Sequence, residues 1–198
     1  MKKAFLLVVI LFVSVISTAC INNFAVQELN NKAKDYLDKG DFESAIGRLK
    51  SSIDLDSTIF ETHYNLGIAY TQAEKYPEAV EVFQNAIKLK PSFADTYYSL
   101  AVAQENYAKG IIDGSLKEKT NTAEDKLDSA NKDADKKATD VKLTPEEKVQ
   151  IEKLFNDAIT SYSSYLEKGK DIEDKKDVEE KIEYLKTQIQ KYSSVQQP

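Results

Sequence analysis

The stretch FESAIGRLKSSIDL, from Phe42 to Leu55, has a near-copy, YPEAVEVFQNAIKL, from Tyr76 to Leu89. A third version, FNDAITSYSSYLEK, begins only at Phe155, far beyond the place that the same offset would give it. Each copy has an aromatic residue, an alanine three positions later, and apolar residues spaced three and four apart. This spacing predicts an α-helix with one apolar stripe. The repeated alanine indicates a point where another helix comes too close for a larger side chain.

A second helical pattern precedes these stripes. HYNLGIAY runs from His63 to Tyr70, and YYSLAVAQ runs from Tyr97 to Gln104 at the same offset. Small residues recur at corresponding places in three such helices: Ala33, Gly67 and Ala101. Because each small residue is expected to face the small residue of the next helix, the helices should form tight antiparallel hairpins. An offset of about 34 residues suits one helical hairpin, and such hairpins stack into a solenoid.

This pattern resembles the tetratricopeptide repeat. The second unit has the family's signature residues at Leu66, Gly67, Tyr70, Ala79, Phe83, Ala86 and Pro91. His63 departs from the family, which usually has tryptophan or another aromatic there, and we interpret it as a core histidine. The resemblance implies an all-α, TPR-like solenoid of about three helical hairpins plus a C-terminal capping helix. The repeats are expected at residues 26–59, 60–93 and 94–168, with the capping helix at 173–193.

A charged insertion is predicted to interrupt the third repeat at about residues 110–144. The alanine of its second helix, expected at position 113, appears instead at Ala158. The preceding helix is expected to end near Gly110, and TPEE from Thr144 predicts a capping box that begins the next helix. The charged segment between them fits either a long solvated helix or a partly disordered loop. A marginal helix from about Leu116 to Ala138 is the favoured interpretation.

Residues 1–19 have the pattern of an export signal, with two lysines, a short apolar run and small residues. Residues 17–20, STAC, resemble the bacterial lipobox, although Ser17 stands where an aliphatic residue is usual. The resemblance implies that Cys20 is lipidated, that residues 20–25 form a linker, and that lipid holds the protein on a membrane of the bacterial cell envelope. The alternatives are an ordinary cysteine near a cut site and an uncleaved signal anchor. The membrane leaflet stays open.

Charge excludes several classes of partner. The formal net charge of the chain is −6, and removal of residues 1–19 would take away two of its lysines and none of its acids. A protein of this charge has no basic field that would attract nucleic acid. It would not bind an anionic leaflet through its surface either, so its membrane contact is predicted to be the lipid alone.

Catalysis finds little support in the residues. The chain has one histidine, one cysteine and no tryptophan, and no glycine-rich phosphate loop follows a strand pattern. The sequence therefore predicts no catalytic residue, no metal site and no cofactor. A peptidoglycan-active or other envelope enzyme is kept as the less favoured alternative.

A protein or peptide partner is the remaining prediction. The tetratricopeptide resemblance implies that the first helix of each hairpin lines a concave groove in which partners lie. The exposed groove positions are expected to be Asn30, Lys34, Tyr64, Ile68, Thr71, Tyr98, Val102 and Glu105. Tyr64 and Tyr98 are interpreted as groove side chains that do not lie between helices. A groove filled by the insertion, or by the chain after Cys20, is the alternative.

The resemblance also indicates which kind of partner to exclude. Chaperone-binding members of the family grip a terminal carboxylate with basic side chains and asparagines, and Asp95 and Ser99 stand at two of the basic positions. We therefore predict a scaffold or adaptor that does not use a carboxylate clamp. An accessory subunit of an outer-membrane assembly or pilus-biogenesis machine is the open alternative, which would rest on analogy alone.

Overall fold

The computed structural model describes residues 23–116, 143–170 and 172–193, and these residues form α-helices without a β-strand. The predicted signal peptide, Cys20 and most of the charged insertion lie outside the described residues. The helices are α1 (residues 23–38), α2 (Phe42–Leu55), α3 (Phe60–Gln72), α4 (Tyr76–Leu89), α5 (Ala94–Ile112), α6 (Pro145–Lys168) and α7 (Lys175–Ser193).

The chain divides into two compact units, which we call unit 1 (Met1–Pro91) and unit 2 (Ser92–Pro198). In unit 1, α2 packs against α3 and α3 packs against α4. In unit 2, α6 packs against both α5 and α7. Each unit has its own apolar core, so the helical hairpins predicted from the repeats are present in both.

The small residues predicted at the helix crossings are buried. Ala33, Ala45 and Ala79 have no exposed surface, and neither does Ala158 in unit 2. Gly67 has a neighbour that the sequence did not indicate. A Cβ atom at this position would lie 2.5 Å from Cε1 of Phe83, so glycine is required by the phenylalanine ring on α4.

The turns inside unit 1 repeat with the same offset as the helices. Between α1 and α2, Gly40 adopts a φ of 74° and the N–H of Asp41 donates to the carbonyl of Tyr36 at 2.9 Å. Between α3 and α4, Glu74 adopts a φ of 57° and the N–H of Lys75 donates to the carbonyl of Tyr70 at 2.8 Å. The second turn therefore keeps the left-handed conformation without the glycine that usually supplies it.

The displaced third copy of the repeat is the partner of α5. Ala101 on α5 and Ala158 on α6 are both fully buried in the core of unit 2. Helix α6 begins with the predicted capping box, in which the Thr144 hydroxyl accepts from the N–H of Glu147 at 3.2 Å and the Glu147 carboxylate accepts from the N–H of Thr144 at 2.8 Å. Helix α6, which carries the displaced copy, packs against α5.

Helix α5 is slightly longer than the sequence indicated. The predicted end near Gly110 is early, because the helix continues to Ile112 and Gly110 is buried within it. The residue in left-handed conformation is Gly114, with a φ of 77°. Of the predicted insertion helix, only its first residue, Leu116, is among the described residues.

The C-terminal helix packs through the stripe that the sequence indicated. Val178, Ile182 and Leu185 on α7 are buried in the core of unit 2. Near its end, the ring of Tyr192 lies 6.4 Å from that of Phe155 on α6. Helix α7 thereby covers the apolar face of α6 that α5 leaves open.

Two glycines in the middle of helices give a matched test of the crossing in unit 1. We expect Gly67→Ala to lower the free energy of unfolding by roughly 1–2 kcal/mol. The added methyl group clashes with Phe83, and the free-energy cost of this clash exceeds the gain from the higher helix propensity of alanine. Gly47→Ala is the control, since a Cβ there meets nothing within 4 Å, and it should raise stability by about 0.5–1 kcal/mol. Urea denaturation of the two variants measures both changes. An equal effect of the two alanines would contradict the close crossing.

Candidate interaction surface

The predicted groove positions of unit 1 lie on α1 and α3. Lys34 is exposed on α1, and Tyr64, Ile68 and Thr71 are half-buried along α3. The hydroxyl of Thr71 donates to the carbonyl of Gly67 at 2.9 Å, so it is satisfied inside its own helix. These α3 residues are spaced three and four apart and therefore share one face of the helix, which we call the α3 stripe.

Asn30 does not have the exposed position predicted for it. Its amide Nδ2 donates to Val26 O at 2.9 Å, to Ser52 Oγ at 2.8 Å and to Thr62 Oγ1 at 3.0 Å. Ser52 and Thr62 are fully buried, so the amide ties α1 to α2 and α3 from inside unit 1. The physical reason is that two buried hydroxyls need a hydrogen-bond partner, and Asn30 is the side chain that supplies it.

Tyr64 is both packed and accessible. Its ring stacks on Phe60 with centroids 5.9 Å apart and meets the edge of Phe83 on α4 at 6.1 Å. The prediction that this side chain does not lie between helices is therefore wrong, because the Phe83 ring that fills the crossing at Gly67 also reaches Tyr64. The half-buried tyrosine still presents part of its surface to solvent.

The predicted groove positions of unit 2 are more enclosed. Tyr98 lies edge-on to Tyr162 and Tyr165 of α6, with ring centroids 5.6 Å and 5.2 Å away. Val102 is half-buried and packs against the same core. The prediction that Tyr98 lies outside the helix packing is wrong, because α6 brings two tyrosines to this face of α5.

Glu105 is buried, with only 6% of its surface exposed, so its predicted exposure is also wrong. One carboxylate oxygen accepts from the hydroxyl of Tyr162 at 2.9 Å, and the other lies 2.5 Å from Nζ of Lys109. Lys181 on α7 approaches the carboxylate to 3.9 Å. A carboxylate tolerates burial when it is hydrogen-bonded and paired, and here the partners come from α5, α6 and α7.

Three tyrosines of unit 2 have raised pKa values. Burial raises the pKa of Tyr162, and the neighbouring negative charge of Glu105 raises it further. Burial is also the main cause of the raised pKa of Tyr98. For Tyr165, burial and the hydrogen bond that its hydroxyl donates to Asp174 at 2.8 Å raise the pKa to about 12.

An open cleft of about 510 Å³ lies in unit 2 between the start of α5 and the connection from α6 to α7. Its lining carries Lys168 and Lys170 together with Asp95, Glu173 and Asp174. Because the lining contains both basic and acidic side chains, the cleft does not select an anion or a cation.

Metal-binding groups are not brought together in the part of the chain that the structure describes. No cluster of three or more His, Cys, Asp or Glu side chains there is placed to hold a metal ion. His63 is buried, and its Nε2 lies 2.8 Å from the carbonyl oxygen of Ser57, to which it donates. The prediction of a core histidine is confirmed. Among the described helices, none has the length and apolar character needed to cross a bilayer.

The comparisons with known proteins agree with this geometry. A family model described as a TPR repeat matches residues 33–73 and 69–106. Residues 33–106 therefore resemble tetratricopeptide repeats in sequence. The first TPR domain of the human RPAP3 protein has a TM-score of 0.56 and 15% identity, with 84% of this chain and 95% of that chain covered.

A second solved structure shows the same fold with a ligand. The first TPR of Spaghetti (RPAP3), bound to the HSP90 peptide SRMEEVD, has a TM-score of 0.55 and 14% identity, with 83% of this chain and 92% of that chain covered. No curated protein sequence matches the chain. The predicted tetratricopeptide resemblance and the all-α hairpin fold are confirmed. Helix α6, which pairs with α5, lies beyond the residues that the family model matches.

The two carboxylate-clamp positions compared in the third unit, Asp95 and Ser99, do not carry basic residues. Asp95 is exposed in the first turn of α5, and Ser99 is half-buried one turn later. The negative charge of Asp95 is a minor cause of the raised pKa of Tyr165, after burial and Asp174. The departure noted in the sequence therefore places an acid on the accessible part of α5.

The buried tyrosine–glutamate pair makes stability depend on pH in the alkaline range. Below about pH 10 Tyr162 is neutral in both states, but above it the unfolded chain loses the phenolic proton that the folded chain keeps. The free energy of unfolding should therefore fall as the pH rises from 9 to 11, and Tyr162→Phe should reduce that fall.

The same variant has an effect at neutral pH. Tyr162→Phe leaves the buried Glu105 carboxylate without its hydroxyl donor, which should cost roughly 1–3 kcal/mol. Urea denaturation at several pH values gives both quantities. Tyr184→Phe, at an exposed tyrosine of the same unit, is the control and should keep the wild-type pH dependence. A Tyr162→Phe protein with the wild-type slope would show that this hydroxyl is not protected from ionisation.

Proposed function

We propose that this protein is a lipid-anchored adaptor of the bacterial cell envelope that binds a protein partner on the first helices of its hairpins. Tetratricopeptide repeats are protein-interaction modules, and the α3 stripe is the observation that carries the proposal. The stripe combines a tyrosine and an isoleucine that are only partly buried, with the exposed Lys34 on the preceding first helix.

Tyr64 has the properties of an interface anchor. Its contacts with Phe60 and Phe83 hold the ring in one orientation, while part of the ring stays accessible. A side chain that is already ordered loses little conformational entropy on binding, so more of its contact free energy contributes to the affinity. Tyrosine also has a hydroxyl that can satisfy a polar group of the partner.

The chemistry of the clamp positions restricts the partner. Solved structures of this fold include complexes with chaperone peptides that end in the acidic sequence EEVD. Here the exposed Asp95 would repel such a terminus, because like charges that lie close together destabilise a complex. The proposed partner is therefore recognised through apolar and aromatic contacts along α3, and not through a terminal carboxylate.

A pair of double variants tests the α3 stripe. We expect Lys34→Glu/Ile68→Ser to weaken partner binding by on the order of 2 kcal/mol, because it removes an apolar anchor of the stripe and reverses the charge of an exposed residue on the preceding first helix. The control is Lys39→Glu/Val149→Ser, which makes the same kinds of chemical change at an exposed lysine and an exposed valine away from the stripe.

The measurement is crosslinking in native membranes, followed by quantitative mass spectrometry of the captured proteins. Thermal melting of both variants shows whether the fold is retained. A stripe variant that melts normally and captures the same proteins in the same amounts as the control would refute the proposed surface.

The lipid anchor is tested at Cys20. Cys20→Ser should abolish incorporation of labelled palmitate and leave the protein soluble or as an uncleaved precursor. Ser17→Leu restores the aliphatic residue that is usual in the lipobox, so it should keep or increase the labelling. Wild-type protein that takes up no label and is cut at a different bond would show that Cys20 is not an anchor. That outcome would leave the interaction surface of unit 1 unaffected.

A further inference from the structure

Unit 1 has a second accessible depression, on the side formed by the second helices of its hairpins. It lies between α2 and α4 and measures about 230 Å³. Its floor is formed by Ile53, Leu66, Tyr70 and Val82, all of which belong to or pack against the core of the unit. We call this depression the outer pocket. It shares no residue with the α3 stripe.

The rim of the outer pocket is acidic. Asp54, Glu78 and Glu81 line it together with a single base, Lys50. None of these four side chains makes a hydrogen bond or an ion pair with the part of the chain that the structure describes, although ion pairs occur elsewhere in the same unit, such as that between Lys75 and Glu43. The pocket therefore has an apolar floor and an excess of negative charge that the protein does not neutralise.

Tyr70 lines the same pocket as these carboxylates. Burial raises the pKa of its hydroxyl, and the negative charges of Glu78 and Glu81 act in the same direction, opposed by Lys75. Because Glu78 and Glu81 line the pocket together with Tyr70, the α4 side of the pocket carries negative charge. A ligand that complements both features must have an apolar stem and a positive head.

We propose that the outer pocket binds an arginine side chain of a protein partner. The three methylene groups of arginine match the floor of isoleucine, leucine and valine, and the planar guanidinium can lie against the ring of Tyr70. Its five donors can reach more than one rim carboxylate at the same time, which a lysine ammonium does less well. This inference goes beyond the proposed function, because it assigns a second contact to the opposite helices of the hairpins.

Two short peptides separate charge recognition from apolar contact. The full chain, purified in a mild detergent with its Ile, Leu and Val methyl groups labelled, is titrated with Ac-Gly-Arg-Gly-NH₂ and with Ac-Gly-citrulline-Gly-NH₂. Citrulline has the same shape as arginine without the charge. We expect saturable NMR shifts of the Ile53, Leu66 and Val82 methyl groups with the arginine peptide, and roughly tenfold weaker binding of the citrulline peptide, which loses about two exposed charge contacts.

Matched variants test whether the preference for arginine depends on the acidic residues of the rim. Glu78→Gln/Glu81→Gln should remove the preference for arginine, whereas Asp35→Asn/Glu61→Gln, which neutralises two exposed acids elsewhere in unit 1, should retain it. Three results would overturn the inference: no shift at the three methyl groups, equal binding of the two peptides, or an arginine preference that survives Glu78→Gln/Glu81→Gln. None of them depends on the α3 stripe, so the proposed function is tested separately.

Discussion

The close passage of paired helices at small residues is the constraint on which the hairpins depend. At Gly67 the ring of Phe83 occupies the space that any Cβ would need, and Ala79 and Ala86 on α4 are fully buried. Interiors packed to this density do not accommodate an added methyl group without movement of a neighbour. The same contact orients Phe83 toward Tyr64, so the position of an accessible tyrosine on α3 follows from a glycine one turn away.

Polar side chains inside the units decide which parts of the first helices remain available. Asn30 satisfies two buried hydroxyls in unit 1, and Glu105 binds a tyrosine and two lysines in unit 2. Removing either side chain would leave buried polar groups without partners, which is costly in a low-dielectric interior. These residues therefore stabilise the fold, and their side chains are withdrawn from the accessible surface of the first helices α1 and α5.

The two faces of unit 1 have different chemistry. The α3 stripe is aromatic and apolar, with a lysine on the neighbouring first helix, whereas the outer pocket between α2 and α4 has an acidic rim. An adaptor gains from such a difference, because two surfaces with unlike chemistry select two unlike segments of partner and do not compete. If both segments belonged to one partner, the second contact would be intramolecular and would raise the overall affinity.

The sequence by itself determined the helices, their pairing and the crossing residues, because each of these depends on local periodicity. The constant offset between copies predicted the hairpins, the alanines predicted the crossings, and Thr144 predicted the start of α6. The sequence also predicted the displacement of the third copy, because the apolar residues around Ala158 have the same spacing as those around Ala45 and Ala79.

Only the tertiary structure decided which side chains of the first helices are accessible. On α5, the face that carries Tyr98 and Glu105 is covered by tyrosines of α6 and a lysine of α7, which are distant in the chain. On α1, the amide of Asn30 points into unit 1 because it donates hydrogen bonds to hydroxyls of α2 and α3. The outer pocket has the same origin, because its floor and rim come from three helices. Burial and charge at a surface are set by contacts between segments that lie far apart along the chain, which helical periodicity does not encode.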